Sequence, residues 1–405
     1  MKVLLTEGSG LTSRQTAGRL DAMGHSVGAL SPDPIALTRF TRAVRHWHRV
    51  PAFGIDPFAW LDAAIDTVRR HGYDLLFPTQ EQVTVLSWAA ATPQLEGIRT
   101  VVPPFAALLS VQDKISAFAT LERLGVAQPP ATVVDDLDTL RGWDRFPVFV
   151  KRPIGTATSG VRRIEDPAEL ATLVEQWTAT DGAPDGMLLQ APAEGPLAMV
   201  QSVFDHGRPV AFHANVRVRE GVRGGASHKR SILRPDLCRM IQTLGEALGW
   251  HGALSADAIL TVDGPAVIDV NPRLVEPGNA WHAGVDLVGA MVDVANHRAF
   301  ASPPPTERPD VRTHQLLLAI LGAAQHGRGR RGVLCELVAA ARHAGDYEDS
   351  TEELTPVTHD WRAAVPCSTA AIAMLAKPSA WEWFSSGSVT NYAISRDGWH
   401  AISAP

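Results

Sequence analysis

The stretch "VIDVNPRL", residues 267–274, joins a short apolar strand to an acid, an amide and a guanidinium group. Asp269, Asn271 and Arg273 alternate with a valine and a proline. Because side chains alternate across an extended strand, we expect all three polar side chains to point to one side. A core strand would carry apolar residues on that side. The pattern therefore indicates either a half-solvated edge strand or a functional surface.

A second acid precedes this stretch in a hairpin pattern. The segment "LSADAILTVDGPAVIDVNPR" is interpreted as two strands joined by a three-residue turn at 263–265. In that register Asp257 lies opposite Asn271 and on the face of Asp269, whereas a two-residue turn would put Asp257 on the other face. Two carboxylates and an amide oxygen form a hard ligand set that suits Mg²⁺, which commonly bridges substrate phosphates. Arg273 would lie beside this set and steady charge on a phosphoryl or acyl group.

Composition excludes several classes of protein. The chain has 405 residues, 45% of them apolar and 20% charged, which is typical of a soluble globular protein with two or three domains. A net charge of −6 argues against a general nucleic-acid binder. Three dispersed cysteines form neither a disulfide framework nor a metal cluster. The N-terminus has no signal-peptide pattern and the apolar block 316–324 is too short to cross a bilayer, so we expect a cytoplasmic protein.

Lysine is rare in this chain. Of 37 basic residues only five are lysines: Lys2, Lys114, Lys151, Lys229 and Lys377. Arginine therefore supplies most of the positive charge of the chain. A lysine that is retained indicates a position that requires a compact ammonium group, for example to bind phosphate oxygens. The three lysines away from the ends are candidates for such contacts.

The order of strand and helix patterns divides the chain. Strands "KVLLTE", "HSVGALS" and "YDLLFPT" alternate with helices "SRQTAGRLDAMG" and "DPFAWLDAAIDTVRRHG", which predicts a parallel, doubly wound sheet. After a helix at 110–125, the strands follow one another in an antiparallel pattern. Residues 301–310, "ASPPPTERPD", are typical of a linker. The remainder is predicted to be mostly helical, with two apolar-faced helices at 314–345 that pack on the rest of the chain, form a dimer interface or lie on an anionic membrane surface, the last being the least favoured.

In this order the motifs resemble the ATP-grasp superfamily. The resemblance rests on "QDK" (112–114), "VFVKRPIGTATSG" (148–160), "LLQAPAEG" (188–195), and Asp257 followed twelve residues later by "DVNPR" (269–273). The N-terminal α/β unit resembles the domain that precedes ATP-grasp domains. The resemblance implies an α/β fold with a pre-ATP-grasp domain at 1–108, an ATP-grasp domain at 109–300 whose nucleotide-binding lid spans about 135–195, and a mostly helical C-terminal domain at 311–405.

The resemblance also implies a ligand for each motif. The cofactors would be ATP and Mg²⁺, with Mn²⁺ as a substitute. The ATP contacts would come from Lys114, Lys151, Thr156, Thr158, Ser159, Gly160, Gln190, Ala191, Ala193 and Glu194. The metal would be held by Asp257, Asp269 and Asn271.

Two further residues would act on the reacting group. Arg273 is one, and Lys229, in the basic segment "RVREGVRGGASHKR" (217–230), is the other. A solvated basic loop is the alternative interpretation of that segment. Three features depart from the family pattern: Asp269 replaces the usual Glu, Gln190 replaces the usual acid of the hinge, and the region of the ribose-binding acid holds Leu197 and Ala198.

The implied reaction is phosphorylation of a small carboxylate by ATP, followed by attack of an amine or similar nucleophile on the acyl phosphate, with release of ADP and phosphate. One alternative is an ATP-grasp enzyme that forms carbamoyl phosphate or carboxyphosphate, and another is a non-catalytic nucleotide-binding module. The expected partners are the small-molecule substrates and, for oligomerisation, a second copy of the chain. Neither nucleic acid nor a membrane is an expected partner.

Overall fold

The computed structural model of the protein describes residues 1–155, 160–180, 186–300, 304–386 and 389–404. These residues form an α/β fold built on three sheets. The helices that the structure describes include none long and apolar enough to span a membrane.

The N-terminal sheet is parallel, with the strand order β3-β2-β1-β4. Its elements are β1 (Lys2–Leu5), α1 (Leu11–Ala22), β2 (Ser26–Ser31), β3 (Val44–Arg49), α2 (Pro57–His71), β4 (Leu75–Phe77), α3 (Val83–Ala90) and α4 (Phe105–Leu109). The apolar residues of β1 and β4 are buried, as expected where helices cover both faces of a sheet. The polar sequence of β3, "VRHWHR", gave no strand signal, because this strand lies at the sheet edge.

The lid sheet is antiparallel, with the order β5-β8-β6-β7. Its elements are α5 (Lys114–Arg123), β5 (Ala131–Val134), α6 (Leu137–Arg141), β6 (Val148–Lys151), β7 (Val161–Ile164), α7 (Pro167–Thr180) and β8 (Met187–Gln190). Val148 and Val150 pack with Leu170 and Leu173 in a small core of their own. Alternation then directs Lys151 to the opposite face of the sheet.

The central sheet has seven strands in the order β13-β12-β9-β10-β11-β14-β15. Its elements up to residue 314 are β9 (Leu197–Asp205), β10 (Arg208–Glu220), β11 (Ala226–Ser231), α8 (Pro235–Ala247), β12 (Gly252–Thr261), β13 (Gly264–Asn271), α9 (Gly278–His282), α10 (Leu287–Ala295) and β14 (Arg312–His314). The last strand, β15 (Ser350–Glu352), pairs in parallel with β14.

The C-terminal segment is mostly helical, as predicted. Its helices are α11 (Leu316–Gln325), α12 (Gly329–Ala341), α13 (Ala364–Ala376), α14 (Trp381–Ser386) and α15 (Arg396–Ser403). The segment also extends the central sheet, because β14 pairs with β11. Residues 311–405 therefore share a sheet with the preceding domain, which short, polar strands such as "RTH" and "STE" did not indicate.

The hairpin between β12 and β13 turns differently from the prediction. Thr261 pairs with Gly264, so the turn consists of Val262 and Asp263 alone. The predicted three-residue turn at 263–265 is therefore wrong. Taken alone, a two-residue turn would place the two acids of the hairpin on opposite faces.

A β-bulge at Ile268 reverses that consequence. The register shifts by one residue at this point, so Asp257 pairs with Asp269. The predicted pairing of Asp257 with Asn271 is wrong, since Asn271 pairs with Ser255. Because an extra residue on one strand turns the following side chains to the other face, the bulge brings both acids to the same face.

Candidate active site

The polar residues of the central sheet gather on one face. The strand registers place Asp257, Asp269 and Asn271 on the same side as Ser255, Gln201, His213, Asn215, Arg217 and Lys229. The opposite side packs into the main core through residues such as Val200 and Ala256. The sequence reasoning missed Gln201, His213 and Asn215, although the alternation in "FHANVRV" has the same two-residue period as "DVNPR".

The acid pair has the chemistry of a divalent-cation site. Burial, and then the nearby Asp269, raise the pKa of Asp257 to about 7, while Arg273 opposes the shift. Two carboxylates that face each other on adjacent strands repel, and a cation between them would relieve that repulsion. With the Asn271 side chain on the same face, the residues present fit Mg²⁺.

Lys151 ends β6 and reaches the bulge of the hairpin. Its Nζ donates hydrogen bonds to Gln190 Oε1 at 2.7 Å and to the Ile268 carbonyl oxygen at 2.6 Å. Burial lowers the pKa of Lys151 to about 8, with Lys114 adding to the shift and Asp269 opposing it. An ammonium buried without a full counter-charge is suited to receive an anionic group.

Lys114 connects the lid to the acid pair. It begins α5, where the Asp113 carboxylate caps the helix by accepting hydrogen bonds from the Ile115 and Ser116 backbone N–H groups. Its Nζ lies 3.3 Å from Asp269 Oδ1 and donates to the Gly155 carbonyl oxygen at 3.4 Å. Lys114 and Lys151 therefore approach the acid pair from the lid side.

Most of the loop that was predicted to cover the phosphates lies outside the described residues. Thr156, Thr158 and Ser159 are outside the described residues. Gly160 follows them, directly before β7, and its carbonyl oxygen accepts a hydrogen bond from the Arg152 N–H at 2.8 Å.

The predicted adenine-binding segment follows β8. Gln190 is buried and holds Lys151, while the Ala191 N–H donates to the Pro130 carbonyl oxygen at 2.8 Å. Ala193 is half-buried and Glu194 is exposed on the connection to β9.

A cavity lies beside this segment, between α5, β8 and β13. Its lining is apolar over most of its surface, through Phe118, Leu121, Leu188 and Val267, and polar at Lys114, Gln128, Gln190 and Asp269. Apolar walls with a few converging polar groups are found in small-molecule sites, most of which are larger than this cavity.

Arg273 lies between the acid pair and the N-terminal sheet. Its Nη1 donates to the Leu274 carbonyl oxygen at 3.2 Å, while its buried Nε finds no hydrogen-bond partner among the described residues. It interacts electrostatically with Asp257 and with Glu7, the residue before the "GSG" turn. Arg273 thus has a donor available for an anion.

Glu7 was not a sequence candidate. Its carboxylate accepts hydrogen bonds from the Ser9 and Gly10 backbone N–H groups and from the Ser13 hydroxyl. Burial raises the pKa of Glu7, against the effect of these hydrogen bonds and of Arg273. The sequence did not mark Glu7 as a candidate, because a single acid directly before the "GSG" turn has no pattern that indicates a function.

The C-terminal segment closes over the same strand end. Asn391 Nδ2 donates to Ser9 Oγ at 3.0 Å, and the Ile394 N–H donates to Glu81 Oε2 at 2.7 Å. Tyr392 between them interacts electrostatically with Glu7, and burial raises the pKa of its phenol to about 12. Residues of three parts of the chain therefore enclose the space next to Arg273.

Lys229 is held by two carboxylates. Its Nζ donates to Glu276 Oε2 and to Glu353 Oε1, each at 2.6 Å, and its side chain is 3% exposed. Burial alone would lower the pKa of Lys229, but the two carboxylates outweigh burial and the pKa is raised. Lys229 is on the polar face of the central sheet, and its predicted action on the reacting group stays a prediction. It also ties β11 to the residue after β15.

Comparisons with known proteins concern the domain and the fold. A family model described as an ATP-grasp domain matches residues 111–277. No curated protein sequence matches the chain significantly.

Several solved structures share the fold. The biotin carboxylase domain of Hydrogenobacter thermophilus 2-oxoglutarate carboxylase is 17% identical with a TM-score of 0.61, over 77% of this chain and 73% of that chain. Biotin carboxylase from Campylobacter jejuni has the same identity and TM-score, over 77% of this chain and 74% of that chain. L-amino acid ligase from Bacillus licheniformis is 18% identical with a TM-score of 0.58, over 76% of this chain and 78% of that chain.

The first of these domains is a dimer in complex with MgADP, ADP and bicarbonate. At such identities the likeness concerns the fold, and the matched family model identifies the domain. Residues 111–277 are therefore identified as an ATP-grasp domain.

Proposed function

We propose that the protein is an ATP-dependent ligase that activates a small carboxylate as an acyl phosphate and joins it to an amine or a similar nucleophile. The observation that carries the proposal is the pairing of Asp257 with Asp269 on the polar face, with Lys114 and Lys151 on the lid side and Arg273 on the other side. Cations on both sides of an acid pair suit the transfer of a phosphoryl group from a nucleotide to an anionic acceptor.

ATP would bind between the lid and the central sheet. Its adenine would enter the apolar cavity beside Gln190, and its phosphates would replace the weaker contacts that Lys114 and Lys151 make with protein oxygens. The hinge residues Ala191, Ala193 and Glu194 and the loop residues Thr156, Thr158, Ser159 and Gly160 would complete the contacts. Asp257, Asp269 and Asn271 would hold Mg²⁺, or Mn²⁺ in its place, which when bound neutralises phosphate charge.

The carboxylate substrate would bind next to Arg273. The unpartnered Nε of Arg273 can donate to one substrate oxygen, which leaves the other oxygen to attack the γ-phosphate. Glu7 lies within electrostatic range of Arg273 and could hold an ammonium group of a substrate. This combination favours an amino acid or another small carboxylate with a positive group.

Phosphoryl transfer would need no covalent bond to the protein. The chain's residues would act by position and charge. Arg273 would orient the acceptor and Lys151 would bind the nucleotide phosphates. Lys229 would contribute a positive charge to the polar face. The nucleophile then displaces phosphate from the acyl phosphate, and a carbon–nitrogen bond forms when it is an amine.

A second candidate function is the formation of carboxyphosphate from bicarbonate. A structural neighbour that contains bicarbonate favours it, and bicarbonate is the smallest oxyanion that Arg273 could orient. The dimeric state of that neighbour also suggests a homodimer for this chain. The third candidate, a non-catalytic nucleotide-binding module, leaves the half-buried acid pair without a catalytic role.

ADP release separates these candidates. The purified protein would be incubated with MgATP and, one at a time, bicarbonate, the twenty amino acids and short carboxylates, each with and without an added amine. We expect release that depends on one carboxylate and rises with an amine. Release with bicarbonate alone would favour carboxyphosphate formation. ATP binding without release under any condition would favour the non-catalytic module.

A further inference from the structure

The turn between β9 and β10 carries a histidine in an unusual backbone conformation. Asp205 pairs with Arg208, so the turn consists of His206 and Gly207, whose φ angles are 48° and 81°. A two-residue turn with two positive φ angles is normally built from Gly, Asn or Asp. Histidine is, like Asn and Asp, enriched at positive φ, so this turn can hold an imidazole with little strain.

A second histidine lies against this turn. His251 follows the buried Trp250, whose carbonyl oxygen accepts a hydrogen bond from the Gly207 N–H at 2.7 Å. Trp250 Nε1 in turn donates to the Ala253 carbonyl oxygen at 3.0 Å. The rings of His206 and His251 stack with centroids 4.1 Å apart. Backbone contacts thus fix the two imidazoles beside each other.

The spacing of the polar atoms is that of metal ligands. His251 Nδ1 lies 3.5 Å from Asp205 Oδ1 and, although buried, has no hydrogen-bond partner among the described residues. Two ligand atoms that are each about 2.1 Å from a tetrahedral ion lie roughly 3.4 Å apart. One ligand atom from each of Asp205, His206 and His251 can be chosen so that all three lie within 4.8 Å of one another.

The surroundings leave one side of this cluster open. Arg208 Nη2 lies 3.7 Å from Asp205 Oδ2, which is the carboxylate oxygen that does not face His251. His297 is close enough to His251 to interact electrostatically. His206 is exposed, so its ring can turn toward an ion and the remaining coordination position can hold water.

We propose that Asp205, His206 and His251 form a second metal site, for Zn²⁺ or a similar transition-metal ion. Two imidazoles and one carboxylate suit such ions better than Mg²⁺, which prefers oxygen ligands. The site is separate from the acid pair, because Asp205 lies six residues along β9 from Met199, the partner of Asp257. At about 3.4 Å per residue that separation is roughly 20 Å.

Binding at this site would clamp the β9–β10 turn to the segment that enters β12. An ion that binds only the folded chain stabilises it by mass action. His206→Gly is a useful variant because glycine suits the left-handed backbone of the turn. Without added metal this variant should therefore unfold at the same temperature as the unmodified chain, or at a higher one.

Competition of Zn²⁺ between the protein and a chromophoric chelator, in excess Mg²⁺, tests the site. We expect the unmodified chain to retain one Zn²⁺ that raises its unfolding temperature, and Co²⁺ in its place to give the visible spectrum of a four-coordinate ion. His206→Gly and His251→Gln should lose affinity by more than the roughly 10–100-fold that changes outside a ligand shell cause. His46→Gln, at an exposed histidine of β3, is the control and should bind Zn²⁺ normally.

Two results would overturn the proposal. One is Zn²⁺ binding of equal strength in the unmodified chain and in both cluster variants. The other is Zn²⁺ binding that excess Mg²⁺ or Asp269→Asn abolishes, since the ion would then lie at the acid pair.

Discussion

Asp257 faces Asp269 directly across the β12–β13 hairpin because Ile268 bulges out of the strand between them and the turn. The carbonyl oxygen of that bulged residue accepts the 2.6 Å hydrogen bond from Lys151. A single irregularity of the backbone therefore places the two acids on one face and also supplies the carbonyl oxygen that binds the ammonium group of Lys151. Bulges recur beside active sites for this reason, because they redirect side chains that a regular strand would turn away.

The acid pair should be required for turnover and dispensable for folding. Asp257→Asn and Asp269→Asn each remove one charged oxygen ligand, and we expect each to lower the Mg²⁺-dependent rate by about 10²–10³-fold or more. Circular dichroism and thermal unfolding should stay close to those of the unmodified chain. Asp263→Asn, in the exposed turn of the same hairpin, is the matched control and should keep full activity. Near-normal activity in either acid variant would refute the metal assignment.

The fold was largely predictable from the sequence, since apolar periodicity and turn residues identify the N-terminal α/β unit and the antiparallel strands. Strand alternation in the sequence also marked the two acids of the hairpin as candidates for the site. The pairing register of the hairpin could not be predicted, because the two-residue turn and the bulge at Ile268 are both decided by pairing across strands.

Contacts between residues that are far apart in the sequence could not be predicted either. Nothing in the sequence near Lys229 indicates Glu353, which lies 124 positions later, directly after a strand that joins the same sheet. Glu7 was likewise not predicted, since its importance depends on its electrostatic interaction with Arg273, which follows a strand of another sheet.

ATP binding should take up a proton at alkaline pH. Free Lys151 has a pKa of about 8, so it is charged at pH 7 and largely neutral above pH 9. Bound phosphates favour the ammonium and raise its pKa, so binding between these limits is coupled to protonation and weakens as pH rises. Calorimetry with a non-hydrolysable ATP analogue, in buffers of different ionisation enthalpy, should show proton uptake at pH 8.5 and little at pH 7.

Lys151→Met should weaken binding of the analogue and abolish this uptake. Unchanged affinity in the variant would remove Lys151 from the phosphate site. Unchanged uptake with weakened affinity would assign the proton to another group.

Lys229 can be tested for a direct part in turnover by a double-mutant cycle with Glu353. Lys229→Met leaves two buried carboxylates without their cation, which should cost about 3–5 kcal/mol of unfolding free energy and lower turnover. Adding Glu353→Gln removes one of these charges, so the double variant should recover much of the stability. We expect turnover to stay low in the double variant, because the ammonium is still missing from the polar face.

Glu353→Gln alone, in which Lys229 keeps Glu276, is the control for this cycle. Denaturant unfolding and ADP release would be measured on all four proteins. Recovery of turnover together with stability would show that Lys229 acts only as a structural partner.

Removal of the C-terminal segment should destabilise the folded protein. A 1–305 fragment lacks β14 and β15, which exposes the edge of β11, and it lacks α11, whose residues are buried against α12 and α13. An exposed edge strand and an uncovered apolar surface favour aggregation. Size-exclusion chromatography should therefore show aggregated or unfolded material, whereas a soluble and fully active fragment would contradict this.

The transfer of oxygen from substrate to phosphate tests the acyl-phosphate reaction most directly. The carboxylate that gives the strongest ADP release would be labelled with ¹⁸O in both oxygens and incubated with MgATP, the amine and the protein, with Asp269→Asn as the control. If the carboxylate is phosphorylated and the nucleophile then attacks its carbon, each released phosphate carries one ¹⁸O. Unlabelled phosphate, or release of AMP and pyrophosphate instead of ADP, would contradict the proposed function.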